Sequence, residues 1–124
     1  MTVRAVTAQL RTTDLEGSIA FWTQAVGLEL AFLHSDFYAG IRAGAGVFHL
    51  KHVDTPDPSI AYVEAGRHLH LYLDVDDAKA MVAALEARGI RPMIPLHETD
   101  WGTLEFAIFD DQGHTIYFGE TLGA

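Results

Sequence analysis

Apolar and polar residues alternate with period two along several short stretches of the chain. Leu69, Leu71, Leu73 and Val75 alternate with His68, His70, Tyr72 and Asp74. Leu104, Phe106 and Ile108 alternate with Thr103, Glu105 and Ala107, and Ile116 and Phe118 with Thr115, Tyr117 and Gly119. Val6, Ala8 and Leu10 alternate with Thr7, Gln9 and Arg11, and Phe48 and Leu50 with His49 and Lys51. Each stretch predicts a strand with one greasy face and one polar face. Between them the period becomes helical. Leu15, Ile19, Trp22 and Val26 form one stripe, and Ala78, Met81, Val82 and Leu85 another. Each stripe needs a surface to pack on, which assigns Trp22 to the core.

Placed in order, these elements repeat. A strand near 3–11, a helix from Asp14 to about Ala25 and strands near 28–34, 37–42 and 46–53 make one half. A strand near 68–75, a helix from Asp76 to about Arg88 and strands near 91–97, 103–109 and 114–119 make the other. Each helix opens on an Asp, which suits free N–H groups and the helix dipole. Thr13 with Glu16 fits a capping box, and Gly27 and Gly89 are natural helix stops. The Gly-rich turn 43–46 and the acidic turn 110–113 close hairpins, and residues 54–59 begin the connection between halves. The expected fold is α+β: one domain, 1–124, of two βαβββ modules, about 1–60 and 61–124. Helices cover the greasy face of each sheet. Periodicity alone leaves the polar face either simply wet or part of a curved groove.

Composition narrows the function. The chain has 124 residues, enough to bury a real core, and 49% of them are hydrophobic, which argues against disorder. It lacks cysteine, which excludes disulfides, thiolate metal sites and a cysteine nucleophile. With a net charge of −9 it is a poor partner for nucleic acid and suits a cationic one. No leader-like N-terminal run and no membrane-length apolar run stand out, so the expectation is a cytoplasmic chain with no membrane partner. Neither a G-x-S-x-G elbow nor a phosphate-binding P-loop is present.

Three segments, "RTTDLEGSIAFWTQAVGLEL", "LHLYLDVDDAKAMVAALEARGI" and "WGTLEFAIFDDQGHTIYFGE", resemble the vicinal oxygen chelate superfamily, which includes glyoxalase I, extradiol dioxygenases and the fosfomycin- and bleomycin-resistance proteins. The resemblance implies paired modules whose sheets curl around a concave cavity. Metal-dependent members ligate one metal from four strand positions, which fall here on Thr7, His49, His70 and Tyr117. Thr7 and Tyr117 are poor ligands for a divalent ion. Gln9 or Glu105 would add an oxygen from the same face, but neither matches the usual place.

That departure points to the bleomycin-resistance branch, which "AFWTQAVGLEL", "DFYAGIR" and "WGTLEFAIFDDQG" also resemble. Such proteins are homodimers that sequester a cationic antibiotic without chemistry. The resemblance therefore implies a homodimeric binder of an amphiphilic or cationic small molecule, with no cofactor and no assigned catalytic residue. Phe37, Tyr38 and Trp101 are the expected apolar contacts, and Glu105, His49, His70 and Tyr117 the expected polar ones. Trp101 lies in a turn before Gly102, where an aromatic side chain serves as a stacking platform or plugs a contact between modules or subunits. His68 is placed at the rim. The alternative is an enzyme that holds one divalent metal through His49 and His70 and chelates two adjacent substrate oxygens, with Glu105 or a neighbour as base.

Overall fold

The structure is a computed structural model that describes residues 1–123; residue 124, the end of the second predicted module, lies outside the described residues. The fold is α+β, and the chain divides into two compact units, Met1–Pro58 and Ser59–Ala124.

In the first unit, β1 (Gln9–Thr12) leads into α1 (Leu15–Ala20), followed by β2 (Glu29–His34), β3 (Tyr38–Ala43) and β4 (Gly46–His52). The sheet order is β1-β4-β3-β2, with β1 parallel to β4 and the other pairs antiparallel. The predicted first strand is shorter than expected. Its ladder runs from Gln9–His49 to Thr12–His52, and residues 1–7, Val6 and Thr7 among them, are exposed.

The first helix opens on Asp14 as expected and differs from expectation at its far end. Its cap is Asp14, whose carboxylate accepts the Gly17 N–H at 3.0 Å, rather than Thr13. Thr12 supports the cap by accepting from the Asp14 N–H and the Ser18 hydroxyl. Beyond Ala20 the helix widens into a π-turn, Phe21–Ala25. The Thr23 hydroxyl takes the Ile19 carbonyl at 2.8 Å, and the Val26 N–H reaches back to Phe21. A side chain that captures an i−4 carbonyl in this way bends or widens a helix. Trp22 is fully buried, edge-on to Phe48, as its stripe predicts. The chain then turns at Gly27, whose φ of 89° is the left-handed conformation of a helix stop.

The second unit comprises α2 (Ser59–Gly66), β5 (Leu71–Asp74), α3 (Ala78–Ala87), β6 (Ile94–Glu98), β7 (Thr103–Phe109) and β8 (Thr115–Thr121). Its sheet order, β5-β8-β7-β6, repeats that of the first unit. Two expectations are corrected. Residues 59–66, read as connection, form a helix, so the strand predicted from 68 begins at Leu71. The cap of α3 is Asp77, which accepts from the Ala80 N–H, and not Asp76. Ala78, Val82 and Leu85 of α3 are buried, as are Phe106, Ile108, Ile116 and Phe118 on the strands. The stripe and the greasy strand faces thus make the core of this unit.

Candidate functional site

The polar face of the second sheet is not simply wet. Glu105 lies there with only 5% of its surface exposed. Its register partner on β8 is Gly119, and the next residue on that face of β7, Ala107, pairs with Tyr117. Small residues at 107 and 119 hollow the face. Tyr72 on β5 fills part of the hollow. A Cβ on Gly119 would fall on the Tyr72 hydroxyl, so glycine is what lets the phenol cross to the carboxylate. There the hydroxyl donates to Oε2 of Glu105 at 2.7 Å, and the Thr103 hydroxyl donates to the same oxygen at 2.9 Å. Among the described residues Oε1 accepts no hydrogen bond, and no basic side chain pairs with Glu105. Burial, followed by the hydrogen bond and charge of Glu105, pushes the Tyr72 phenol up from 10.0 to about 12. The Asp74 charge acts in the same sense, and the Thr103 hydrogen bond opposes it.

Glu105, Tyr72 and Tyr117 wall a cavity of about 490 Å³ within the second unit. Tyr72 and Tyr117 stack with ring centres 6.5 Å apart. Trp101, 73% exposed, stands at the same cavity, with Arg67 and His68. A carboxylate without a cation, at a cavity walled in part by three aromatic side chains, suits a flat organic cation: the ring faces attract it and the carboxylate fixes it.

Of the residues singled out in the sequence, Glu105, Tyr117 and Trp101 share this cavity, and His68 stands exposed at it. Tyr72 and Arg67 were not selected. Alternation had placed Tyr72 on the right face. Arg67 carries no such signal, because its position depends on the end of a helix that the sequence did not reveal.

His70 is not a wall of this cavity. The Thr115 N–H donates to its Nδ1 at 3.1 Å, and its Nε2 lies 3.1 Å from the Ser59 hydroxyl. A backbone N–H can only donate, so the proton of the neutral ring sits on Nε2, toward Ser59. This tautomer cannot draw a proton from Ser59, and neither ring nitrogen is open to a metal. His70 also meets His114 edge-on, with ring centres 4.8 Å apart. His114 is 1% exposed and bonds Asp110 through Nδ1 at 2.7 Å.

Phe37, Tyr38 and His49 gather on the first unit. Gln9 donates to the Tyr38 hydroxyl, which lies 3.0 Å from Nδ1 of His49. Phe32 is parallel to Tyr38, covers Gly40 and meets His49 edge-on. Phe37 meets Tyr38 edge-on and is exposed. A separate cavity of about 580 Å³ in this unit lies between α1 and β2, against Leu15, Ile19, Leu30 and Leu33, and contains none of these three residues.

The metal positions implied by the resemblance do not offer a fitting donor set. Thr7 is exposed before β1, Tyr117 presents a phenol, His49 has one nitrogen engaged by Tyr38, and His70 has both engaged. Among the described residues no group of three or more His, Asp or Glu side chains is placed to hold an ion.

A family model described as the glyoxalase/bleomycin resistance protein/dioxygenase superfamily matches residues 4–118. The chain belongs to this superfamily. No curated protein matches its sequence. Among solved structures, likeness of fold extends over nearly whole chains. The bleomycin-binding protein of bleomycin-producing Streptomyces verticillus, complexed with copper(II)-bleomycin, is 22% identical with a TM-score of 0.71, covering 100% of this chain and 99% of its own. TnmS3, an antibiotic-binding protein from Streptomyces sp. CB03234, is 22% identical with a TM-score of 0.76 and 98% coverage of both chains. Lactoylglutathione lyase from Agrobacterium tumefaciens is also 22% identical, with a TM-score of 0.70, covering 96% of this chain and 94% of its own. At such identities the likeness is one of fold, and that fold is shared by two binding proteins and a lyase.

Proposed function

We propose that this protein binds and sequesters an aromatic, cationic or amphiphilic small molecule without chemistry and without a metal. The observation that carries this reading is Glu105: a carboxylate buried without a basic partner among the described residues, facing a cavity walled by Tyr72, Tyr117 and Trp101. A buried carboxylate without a countercharge is costly, and a cationic ligand offsets that cost. The net charge of −9 favours encounter with such a ligand. The antibiotic-binding neighbours support the same ligand class, and the hydrogen bonds already made by His49 and His70 support a metal-free site.

The test is calorimetric titration with a panel of cationic antibiotics, bleomycin first, against the native chain and Glu105→Gln. Saturable binding that weakens at least tenfold in the variant is the expected result, the size of one charge-assisted contact. No binding across the panel, or equal binding by the variant, overturns the reading.

We also propose a homodimer. Leu30, Phe32 and Leu33 are all exposed on β2, an edge strand, and an edge strand that bears exposed apolar side chains supports association. Light scattering that returns the monomer mass of 13.6 kDa would overturn this.

A further inference from the structure

Resting on the cation-binding reading above, we propose that the ligand is a zwitterion: its aromatic cation sits on Glu105, and an anionic group on a separate arm sits on Arg67.

Three observations lead there. The first is backbone conformation. Arg67 has φ 55° at the end of α2, where its N–H bonds the Glu64 carbonyl and the His68 N–H bonds that of Val63. This pair of bonds is the Schellman stop, whose left-handed position is normally glycine. A side chain there is strained. The helix stop gains nothing from an arginine.

The second is what the side chain reaches. Arg67 lines the 490 Å³ cavity that contains Glu105 and also a second cavity of about 350 Å³, which includes Met93, Ile94 and Thr115. Arg67, His68 and Tyr117 are walls common to both. The two spaces therefore meet at Arg67, and a molecule larger than either one extends past the guanidinium.

The third is that the guanidinium is uncommitted. Among the described residues it makes no hydrogen bond and no ion pair. Glu64, three residues earlier, also lines the second cavity but does not come within ion-pair distance of it. A planar five-donor cation without a partner is chemistry suited to a carboxylate or similar oxyanion. Glu105 and Arg67 carry opposite charges at one cavity, yet they do not pair with each other. A ligand with two charges satisfies both.

The test uses two fluorescent dyes that differ only at one carboxyl group. Tetramethylrhodamine methyl ester is a planar cation, and the free acid carries the same cation plus a carboxylate. Binding is read by fluorescence polarisation with the native chain, Arg67→Gly and Glu105→Gln. The free acid is expected to bind roughly tenfold tighter than the ester, one charge-assisted hydrogen bond being of that size. Arg67→Gly should abolish this preference, so that the two dyes bind that variant with equal affinity whatever the change in the ester's own affinity, and glycine suits the backbone there. Equal affinity for the two dyes, or a preference that survives in Arg67→Gly, overturns the zwitterion while the cation site stands, provided that the ester binds and Glu105→Gln weakens it. Failure of both dyes to bind overturns the cation site and the zwitterion together.

Discussion

Tyr72 donates its hydroxyl proton to Oε2 of Glu105 at 2.7 Å, and it reaches that oxygen by lying across Gly119. A central strand glycine, an edge-strand tyrosine and a buried carboxylate thus form one device. Each member explains why the others are where they are.

The device has a pH signature. The folded chain holds the Tyr72 proton more tightly than an unfolded chain does, with about 12 in place of 10.0. The stabilisation is therefore fully present below pH 10 and is lost as the pH rises through about 12. Of the four tyrosines, one should titrate near 12 when phenolate absorbance is followed together with circular dichroism. Glu105→Gln removes the carboxylate charge and should lower that value toward 10. If no tyrosine titrates late in the folded protein, the hydrogen bond is not made.

Gly119→Ala tests the crossing directly. The new methyl group falls on the Tyr72 hydroxyl, and Gly119 is buried between paired strands. The phenol must swing away, at a cost of about 1 to 3 kcal/mol typical of overpacking. Urea denaturation should show that loss, and the late-titrating tyrosine should return to the ordinary range. Unchanged stability together with an unchanged tyrosine titration would contradict the geometry.

Trp101 separates binding from folding. It is 73% exposed, so Trp101→Ala should change stability by no more than about 0.5 kcal/mol. Loss of a stacking face should weaken an aromatic ligand by roughly tenfold. Parallel losses in Tm and affinity would instead make Trp101 a packing residue.

Half of this site was legible in the sequence. Period-two alternation put Glu105 and Tyr117 on one face and put Tyr72 there with them, because side-chain direction in a strand is set by the backbone alone. Arg67 was invisible, since nothing in "SIAYVEAG" carries an amphipathic stripe and α2 buries no residue. Without that helix, its left-handed terminal residue has no meaning. His70 was expected among the polar contacts, and it does not line the cavity that Glu105 faces. Alternation gives direction but not the Thr115 N–H and Ser59 hydroxyl that engage both ring nitrogens. Of the two caps the sequence offered for the first helix, Asp14 holds and Thr13 does not, and the second cap moves from Asp76 to Asp77, because adjacent capping residues compete and only the backbone angles decide.

Divalent metal should leave the thermal midpoint unmoved. Ligation of the folded state would raise Tm by mass action. With His70 engaged at both nitrogens and His49 at one, a metal must break hydrogen bonds to bind. Thermal scans with and without millimolar Zn, Ni or Mn, and elemental analysis of protein never exposed to chelator, check this. A rise of several degrees, or one ion per chain, would return the enzyme reading to first place.

The last prediction concerns the turn beside His70. Asp110 accepts the Gln112 and His114 N–H groups on Oδ1 and the His114 ring on Oδ2, the shortest of these contacts being 2.7 Å. Both side chains are almost fully buried, and Nε2 of His114 has no partner among the described residues. Removing the carboxylate strands two backbone donors and an imidazole in the interior. Asp110→Ala should therefore cost about 3 to 5 kcal/mol, the range for breaking a buried pair. Asp110→Asn keeps an acceptor for the two backbone N–H groups but presents an amide N–H to the ring. The ring must then accept on Nδ1 and carry its proton on the buried Nε2. That variant should also be destabilised, but by less, at about 1 to 3 kcal/mol for one unsatisfied buried donor. Urea midpoints ordered native, Asn, Ala are expected. Equal midpoints for Asn and native would mean that the ring, and not the turn, is the dispensable half of the pair.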